Sequence, residues 1–307
     1  FVMNKLPHVA VLGATGAVGQ EFIRLFEERN FSFASLKLLA SAKSAGKKLM
    51  VCGEEYTVEE AKPDSFKDID IALFAGGKVS EVLAPEAVRR GAVVIDNSSA
   101  FRMDPQVPLI IPEINPEDIE KHRGIIANPN CSTIIMLMAL KPIYDLSPIK
   151  RVIVSTYQAV SGAGKEGIDE LYGETEAVSK GIVYEPKILP SASLPKHYPI
   201  AYNLIPQIIR SHAESIYVET AASLSTKQIK EAMKSFPGVV LVDDIKKQVY
   251  PMPLDTSNKT DVAVGRIRKD LYNKRGINLW VCGDQIRKGA ALNTLQIAEY
   301  MIAHDMF

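Results

Sequence analysis

The feature that most constrains the fold is the pattern of strand, loop and helix near the start of the chain. An apolar run from His8 to Leu12 leads into the glycine-rich loop GATGAVG at residues 13–19, and an amphipathic helix is predicted from Gln20 to Arg29. This order is typical of a dinucleotide-binding unit, because the glycines permit a tight turn and let a pyrophosphate approach the helix N-terminus. The spacing is a variant of the usual fingerprint, so the flanking strand and helix carry the prediction.

The second predicted strand bears on which dinucleotide would bind. It runs from Leu36 to Ala40 and is followed by the loop SAKSAG. A site for NAD usually places an acidic residue here to hold the ribose 2′-hydroxyl. This chain has Ser41, Lys43 and Ser44 instead. A cation between two hydroxyls favours a 2′-phosphate, and therefore NADP; the alternative is a solvated lysine on a polar loop.

Alternating apolar and helical segments up to residue 127 predict a doubly wound, mostly parallel α/β sheet. Further strands are predicted at 70–75, 92–96, 109–114 and 124–127, with a helix at 80–90. Ligands bind beyond the carboxyl ends of the strands in such sheets. Arg102 follows one of these ends, after the run NSSAF, and could hold an anion through paired hydrogen bonds. A lone arginine is more often a surface ion-pair partner.

The last of these strands delivers the chain to a cysteine. Pro129 ends the strand because it cannot donate to a sheet ladder, Asn130 stands where a helix N-cap is needed, and an apolar helix follows from Cys131. The helix dipole and the unpaired amides of the first turn favour the thiolate, which is the nucleophilic form of cysteine. The alternative is a small, inert core cysteine, which is a common fate for this residue.

The pattern changes after residue 146. Strands are predicted at 151–157, 211–220, 239–242, 261–271 and 278–282, with helices at 165–180, 225–235 and 288–304 and a proline-rich loop at 185–206. Strands joined by few helices predict an α+β domain with a mixed sheet. The expected division is a cofactor domain of residues 3–130 plus 288–307, and a substrate and dimerisation domain of residues 131–287.

Composition argues against several other classes of protein. The 36 basic and 36 acidic residues cancel, and no basic run indicates a nucleic-acid or membrane surface. No apolar stretch approaches the roughly 20 residues of a membrane span, and no signal peptide is visible. Cys52, Cys131 and Cys282 show neither disulfide nor metal-ligand spacing. We therefore expect a cytoplasmic protein without a bound metal.

Eight motifs, in a fixed order, carry a resemblance to a known family. After GATGAVG and SAKSAG come DNSSAFR, NPNCST, TYQAVSGAG, SHAES, VGRIRKD and GAALN. The set resembles aspartate-β-semialdehyde dehydrogenase, in the bacterial branch typical of Gram-positive organisms, over nearly the whole chain. NPNCST is the most discriminating motif, since the related acyl-phosphate reductases of the arginine pathway have glycine where Asn130 stands.

The resemblance implies an activity. It is the NADP-dependent conversion of L-aspartyl-4-phosphate to L-aspartate-4-semialdehyde, with release of inorganic phosphate, on the route to lysine, threonine, methionine and diaminopimelate. It further implies a homodimer or a tetramer. Cys131 would form an acyl-thioester, His212 would act as acid and base, and Gln158 would orient the substrate.

The remaining implied roles concern binding. Arg102 would bind phosphate or the acyl-phosphate group, with Asn130 and Gln158 contributing to the substrate site. The residues that would bind the cofactor are Gly13, Thr15, Gly16, Ala17, Val18, Ser41, Lys43, Ser44, Ser161, Gly162 and Asn293.

One departure from the family pattern lies just before SHAES. The family has a longer segment there, which supplies a lysine for phosphate and an arginine for the substrate α-carboxylate. Here the chain runs from Ile208 through Ile209 and Arg210 directly to His212. Either the protein lacks the segment or residues are absent from the sequence between Ile208 and Ile209. We favour the second explanation, because deletion of a core strand would disrupt the sheet that positions His212.

Two other functions stay open from the sequence. One is the reduction of a different acyl phosphate, such as N-acetylglutamyl phosphate. The other is a non-catalytic paralogue that binds NADP. The presence of Cys131, Gln158 and His212 together argues against the second, whereas the absent arginine and lysine argue for it.

Overall fold

The computed structural model describes residues 6–158, 160, 164–189, 196–201 and 212–307. The chain forms two compact units: the first contains Phe1–Ile134 and Ile286–Phe307, and the second contains Ile135–Gln285. None of the described helices combines the length and apolar character needed to cross a membrane.

The strands are numbered in chain order. They are β1 His8–Leu12, β2 Ser35–Ala40, β3 Lys48–Val51, β4 Glu54–Thr57, β5 Glu59–Glu60, β6 Ile71–Phe74, β7 Val93–Asp96, β8 Ile125–Ala127, β9 Ile149–Tyr157, β10 His212–Thr220, β11 Val239–Leu241, β12 Val262–Lys269 and β13 Gly276–Gly283. The α-helices are α1 Ala17–Arg29, α2 Ser80–Arg89, α3 Cys131–Leu146, α4 Gly164–Ser179, α5 Thr226–Ser235, α6 Pro253–Thr256 and α7 Leu292–Ala303.

The first unit is built on a six-stranded parallel sheet. Its strand order is β5-β2-β1-β6-β7-β8, and all neighbouring pairs are parallel. The chain adds β2 and β5 on one side of β1 and then β6 to β8 on the other, so the order of strand addition reverses between β1 and β6. Doubly wound sheets bind dinucleotides in the crevice at this reversal. The structure therefore confirms the predicted α/β class and sheet type.

Apolar side chains cover both faces of this sheet. Side chains alternate along a strand, so neighbouring β1 residues join different cores. Val11 packs in a cluster with Phe22 of α1 and Leu295 of α7, whereas Ala10 packs with Leu83 of α2 on the opposite face. The helices on the two faces make the sheet doubly wound.

The structure corrects one predicted strand and adds a hairpin. Residues 109–114 do not form a strand; Leu109 makes an isolated bridge to Ala127. Proline at 108 and 112 removes two ladder donors, and Asn115 takes over the amide of Ile111 at 3.0 Å. The hairpin β3–β4 was not predicted. Its turn residues, Cys52 and Gly53, both have positive φ, as a type I′ turn requires.

The second unit contains a five-stranded sheet in the order β11-β12-β13-β10-β9. The β11–β12 pair is parallel and the other pairs are antiparallel, which confirms the predicted mixed sheet. One face packs closely on α3, since a Cβ on Gly283 would lie 3.0 Å from the Ile135 side chain. Strand β9 forms an edge of the sheet and is largely exposed, with Ile153 at 48%.

Helix α4 holds part of the proline-rich loop in place. The carboxylate of Glu170 accepts hydrogen bonds from the amides of Lys187 and Ile188 at 2.7 and 3.0 Å. Glu174 accepts from the amides of Ile200 and Ala201 at 2.5 and 2.7 Å. Both glutamates are buried, and their bonds satisfy backbone donors that a segment without regular structure cannot pair internally.

Candidate active site

The loop after β1 brings backbone segments closer together than a side chain would allow. Gly13 has a φ of +83°, and a Cβ added there would lie 2.6 Å from the carbonyl oxygen of Ala75. A Cβ on Gly19 would lie 2.2 Å from the carbonyl oxygen of Gly13. The two glycines therefore let the loop turn tightly over the end of the sheet, which is the cradle that a pyrophosphate needs.

Helix α1 begins at Ala17, three residues earlier than the sequence predicted. Gly16 is its N-cap, no side chain caps the helix, and its first turn carries no acidic residue. The amides of the first turn are therefore open to an anion, and the positive end of the helix dipole attracts one. Thr15, Gly16, Ala17 and Val18 form this helix start, so the geometry fits the phosphate-binding role expected of them.

The loop after β2 lies against the glycine-rich loop. Ala42–Ser44 form a short 3₁₀ turn with Ser41 as its N-cap. Thr15 Oγ1 lies 3.4 Å from Ser44 Oγ and donates to it, which joins the two loops. Lys43 is exposed on this turn. The loop thus presents a cation and hydroxyl groups beside the glycine cradle.

Asn130 caps α3, as the sequence predicted. Its Oδ1 accepts hydrogen bonds from Ser132 Oγ at 2.6 Å and from the Thr133 amide at 3.3 Å. These bonds fix which end of the side-chain amide is the nitrogen, and that nitrogen lies 3.8 Å from Cys131 Sγ as a donor. Cys131 is half-buried in the first turn of the helix. Both the helix terminus and the Asn130 amide stabilise a negative charge on its sulfur.

Arg102 is held by two backbone carbonyls of the same unit. Its Nε donates to Asn128 O at 2.9 Å, and its Nη2 donates to Asn97 O at 2.7 Å. Burial lowers the pKa of Arg102, and the negative charges of Cys131 and Asp96 oppose this shift. The guanidinium has five N–H donors, so the two carbonyl contacts leave others for an anion.

Asn293 is buried, whereas a residue that contacts the cofactor directly would be exposed at the site. Its side chain is fully buried, and its Nδ2 donates to Asn128 Oδ1 at 2.7 Å and to Ile110 O at 3.0 Å. A direct contact between this amide and a dinucleotide would require it to leave those bonds.

In the second unit, Gln158 follows the end of β9 and His212 begins β10. Their chain neighbours Tyr157 and Ala213 are paired in the antiparallel register. Gln158 Nε2 donates to Thr156 Oγ1 at 3.0 Å. His212 is 2% exposed, and burial lowers its pKa to about 4. Its imidazole is therefore neutral near pH 7 and able to accept a proton.

Glu214 is a buried polar residue that the sequence reasoning did not single out. It lies two residues after His212, on the same face of β10, and is 0% exposed. Among the described residues, neither carboxylate oxygen has a hydrogen-bond partner, and burial raises the pKa of Glu214 to about 8. It therefore carries a proton at neutral pH. The SHAES motif contains this glutamate, and strand alternation from His212 was the signal that could have identified it.

Some sequence predictions fall outside the described residues. They are Ser161 and Gly162 of the expected cofactor site, Arg210, and the junction between Ile208 and Ile209. Within the described part of the chain, no cluster of three or more His, Cys, Asp or Glu residues is placed to hold a metal ion.

Each unit thus offers distinct chemistry. The first combines a phosphate cradle, a thiol whose thiolate is stabilised, and a cation within electrostatic range of that thiol. The second offers a neutral imidazole, at His212, and a side-chain amide, at Gln158. A nucleophile, an anion clamp and a proton acceptor are the groups required for acyl transfer through a covalent intermediate.

Family comparisons agree with this chemistry. Residues 8–122 match the family described as "Semialdehyde dehydrogenase, NAD binding domain", which indicates a nicotinamide cofactor. Residues 140–210 and 208–288 match "Semialdehyde dehydrogenase, dimerisation domain", which indicates assembly with further copies. The match to this second domain comes in two parts that overlap at residues 208–210, where the sequence departs from the family pattern. Which of the two explanations holds there stays a prediction.

Individual relatives are similar over their full length. Aspartate-semialdehyde dehydrogenase of Bacillus subtilis is 49% identical over 338 aligned positions, which cover 97% of this chain and 98% of the relative. The crystal structure of aspartate semialdehyde dehydrogenase II from Vibrio cholerae, complexed with ASA, is 38% identical, with a TM-score of 0.91 and coverage of 99% of this chain and 100% of that one. The Candida albicans enzyme with NADP is 26% identical, with a TM-score of 0.74 and coverage of 98% and 100%. The chain belongs to the aspartate-semialdehyde dehydrogenase family.

Proposed function

We propose that the chain catalyses the reversible, NADP-dependent reductive dephosphorylation of L-aspartyl-4-phosphate to L-aspartate-4-semialdehyde. The observation that carries the proposal is the setting of Cys131, at the capped start of α3 with Asn130 on its sulfur and Arg102 within electrostatic range. A thiolate stabilised in this way can attack an acyl phosphate. A core cysteine would need neither the amide donor nor the cation.

The proposed reaction begins at the Cys131 sulfur. The thiolate attacks the acyl carbon, the bond from that carbon to the phosphate oxygen breaks, and phosphate leaves as an anion. Arg102 would hold this anion through donors that Asn97 and Asn128 do not use. The product of the step is a thioester on Cys131, and the electron pair of the broken bond stays on phosphate.

The cofactor fits the first unit because Gly13 and Gly19 let the backbone pack closely enough for the loop to turn over the sheet, and the start of α1 has no side-chain cap or acidic residue to compete with a phosphate. When bound, NADPH supplies the hydride that reduces the thioester carbon. We assign the 2′-phosphate to the loop with Lys43, so that the cofactor is NADP rather than NAD. The proposed binding set is Gly13, Thr15, Gly16, Ala17, Val18, Ser41, Lys43 and Ser44, with Ser161 and Gly162 from the second unit. Asn293 also belongs to this set, and we propose that it supports the site through its buried hydrogen bonds.

His212 is the proposed acid and base. In the oxidative direction its neutral imidazole would accept the proton of the thiohemiacetal hydroxyl, and in the reductive direction the imidazolium would return it. Gln158, whose neighbour Tyr157 pairs with Ala213, would orient the substrate carbonyl. Asn130 would contribute its amide to substrate binding.

We further propose the biological setting of the enzyme. Residues 3–130 with 288–307 form the NADP domain, and residues 131–287 form the substrate and dimerisation domain of a cytoplasmic homodimer. The exposed edge strand β9, with Ile153 on its surface, supports assembly through the second unit. The other partners are the substrate and inorganic phosphate, with no role for nucleic acid or membrane.

The test compares substrates and one variant. The wild-type protein should oxidise L-aspartate-4-semialdehyde with NADP and phosphate, whereas the matching N-acetylglutamate semialdehyde should react at least about a hundredfold more slowly. Cys131→Ser should lower turnover by several orders of magnitude, as lost nucleophiles commonly do, while NADP affinity by calorimetry stays within about twofold.

Three outcomes would contradict the proposal. A preference for the N-acetylglutamate compound would assign the chain to another acyl-phosphate reductase. No turnover by the wild type with either compound would favour a non-catalytic paralogue. Retention of more than about a tenth of the rate in Cys131→Ser would rule out covalent catalysis at this thiol.

A further inference from the structure

A buried lysine of the first unit has no assigned role in the proposed reaction. Lys288 is 1% exposed, and its Nζ donates to both oxygens of Glu113 at 2.8 and 2.7 Å, to Asn293 Oδ1 at 3.1 Å and to Gln296 Oε1 at 2.8 Å. An ammonium group has three N–H donors, so these acceptors engage all of them. Burial of an ion pair is costly, and apolar residues of similar size can often replace one without loss of stability. Stability alone therefore does not account for this pair.

The lysine fixes the orientation of Asn293. An ammonium only donates, so the end of the Asn293 amide that faces it must be the oxygen. The nitrogen must then point the other way, where it donates to Asn128 Oδ1 and Ile110 O at 2.7 and 3.0 Å. The Lys288 contact thus determines which group of Asn293 faces Asn128.

Asn128 passes this constraint to two groups of the proposed reaction. It is 1% exposed and stands directly before Pro129, Asn130 and Cys131, and its Nδ2 donates to Pro129 O at 3.3 Å. Its carbonyl accepts the Nε of Arg102 at 2.9 Å. A shift of the Asn128 backbone would therefore move both the turn that presents the thiol and the carbonyl that holds the guanidinium, and the Asn293 contact anchors the Asn128 side chain against such a shift.

A second path leads from the same helix start to Arg102. Thr294 Oγ1 donates to Asn97 Oδ1 at 3.0 Å, and the carbonyl of Asn97 accepts Arg102 Nη2 at 2.7 Å. The residues just before α7 form a π-helical turn, Arg287–Ala291, which directs Lys288 into the protein. Such turns are rare in helices and often occur at functional sites.

We propose that Lys288, acting through Asn293, and Thr294 are positioning residues for Cys131 and Arg102. They hold the turn 128–131 and the guanidinium in one arrangement, so that the cation stays close enough to stabilise the thiolate. The proposal rests on the function argued above for Cys131, and it adds the residues that fix its surroundings. None of the three needs to touch the substrate.

The chain offers a matched control on the same π-helical turn. Arg287 donates from Nε to Glu21 Oε1 at 2.6 Å and from Nη2 to Glu28 Oε1 at 2.5 Å, which ties the turn to α1. It forms a buried ion pair like that of Lys288. A variant of this pair should lose similar stability without acting on Asn128.

The experiment uses two double variants, Lys288→Met with Glu113→Gln and Arg287→Met with Glu21→Gln, so that neither leaves an unpaired buried charge. The readout is the pH midpoint of Cys131 alkylation by iodoacetamide, measured peptide by peptide with mass spectrometry. Cys52, which is exposed, serves as an internal reference in the same chain. Cys282, which is buried, reports global opening.

The Lys288 variant should raise the Cys131 midpoint by at least about half a pH unit and lower kcat/KM by about 10- to 100-fold, as small misplacements of reacting groups do. The Arg287 variant should leave the midpoint unchanged at a similar loss of Tm. Equal midpoints in the Lys288 variant and the wild type, or equal shifts in both variants, would overturn the proposal.

A single variant keeps the proposal testable if the Lys288 variant fails to fold. Thr294→Val removes only the hydroxyl that reaches Asn97, and it should raise the KM for phosphate at least threefold with little change in kcat or Tm. An unchanged KM would refute the role of Thr294. Because alkylation needs no turnover, these results differ from a failure of the proposed function, which would appear as substrate turnover by Cys131→Ser.

Discussion

Two sets of buried polar groups, one in each unit, are held in different ways. In the first unit, Arg102, Asn128, Asn293 and Lys288 are buried or half-buried and lie in one continuous set of hydrogen bonds. In the second, Glu214 is fully buried, and neither of its carboxylate oxygens has a partner within the part of the chain that the structure describes. Hydrogen bonds fix the charge and direction of a group, whereas burial without a partner favours its neutral form.

This difference predicts where pH sensitivity lies. In the first unit, the Arg102 guanidinium keeps its charge through the neutral range. Burial lowers the pKa of Lys288, and the negative charge and hydrogen bonds of Glu113 oppose this shift. In the second unit burial raises the pKa of Glu214 to about 8 and lowers that of His212 to about 4. Changes in pH between about 4 and 8 should therefore act on His212 and Glu214, whereas they should leave the charge of Arg102 unchanged.

The largest effect should come from removing the anion clamp of the first unit. Arg102→Gln should lower kcat/KM for the phosphate-dependent reaction by about 10²- to 10³-fold, as loss of a preorganised donor to a developing charge commonly does. Steady-state kinetics at pH 6 and 9 should give the same factor, because arginine keeps its proton throughout. A factor that changes between these pH values would contradict the comparison.

An intermediate effect should come from Glu214 and concerns stability. Its folded-state pKa is raised from 4.5 to about 8, so the folded chain keeps a proton that the unfolded chain releases. The stability that the folded state gains from keeping this proton is fully present below pH 4.5 and is lost as pH rises towards 8. The glutamine in Glu214→Gln cannot titrate. The variant should therefore lack the fall in unfolding free energy, on the order of a few kcal/mol, that the wild type shows as pH rises.

Urea unfolding of the wild type and of Glu214→Gln at pH 5 and 8 measures this effect. Glu185→Gln, which changes an exposed carboxylate of the same unit, is the matched control and should behave like the wild type. His212 acts in the opposite direction: its lowered pKa makes the folded state lose stability as pH falls from 6.5 towards 4. An identical pH slope in Glu214→Gln and the wild type would show that Glu214 does not set it.

The smallest effect should come from Lys43, which belongs to the first unit but is exposed. A charge-assisted bond to a 2′-phosphate is worth roughly 1.5–3 kcal/mol, and salt would reduce it at this site. Lys43→Ala should therefore weaken NADP more than NAD in equilibrium titrations, with a smaller difference at high salt. Equal losses for both cofactors would show that Lys43 is a solvated loop residue.

Local patterns predicted most elements of both units. The parallel sheet follows from short apolar runs alternating with helices, and the cap of α3 follows from Asn130 before an apolar helix. The prediction of a strand at 109–114 was wrong because it relied on the apolar residues of that segment and did not take account of its prolines. The periodicity of apolar residues identifies buried faces, but it does not show where proline removes a backbone N–H donor that a strand needs.

The Lys288 network could not be read from the sequence. Lys288 and Glu113 are 175 residues apart, and a lysine at the start of an apolar helix is expected on the surface. Glu214 was hidden for a similar reason, since an alternating strand predicts its face but not that both of its oxygens lack a partner. Tertiary contacts decide the state of such groups, and no local pattern reports them.

The place of α7 in the chain has a consequence for protein synthesis. Strands β1 to β8 and Cys131 leave the ribosome well before α7, whose residues Leu292, Leu295 and Met301 complete the core on one face of their sheet. At about 5–20 residues per second, the intervening stretch of about 160 residues takes roughly 8–32 s to make. During that interval one face of the nascent sheet is covered by α1 but not by α7, and the thiol is synthesised but not yet held by the residues proposed to orient it. The surroundings of the Cys131 thiol are therefore completed only after the whole substrate domain has been made.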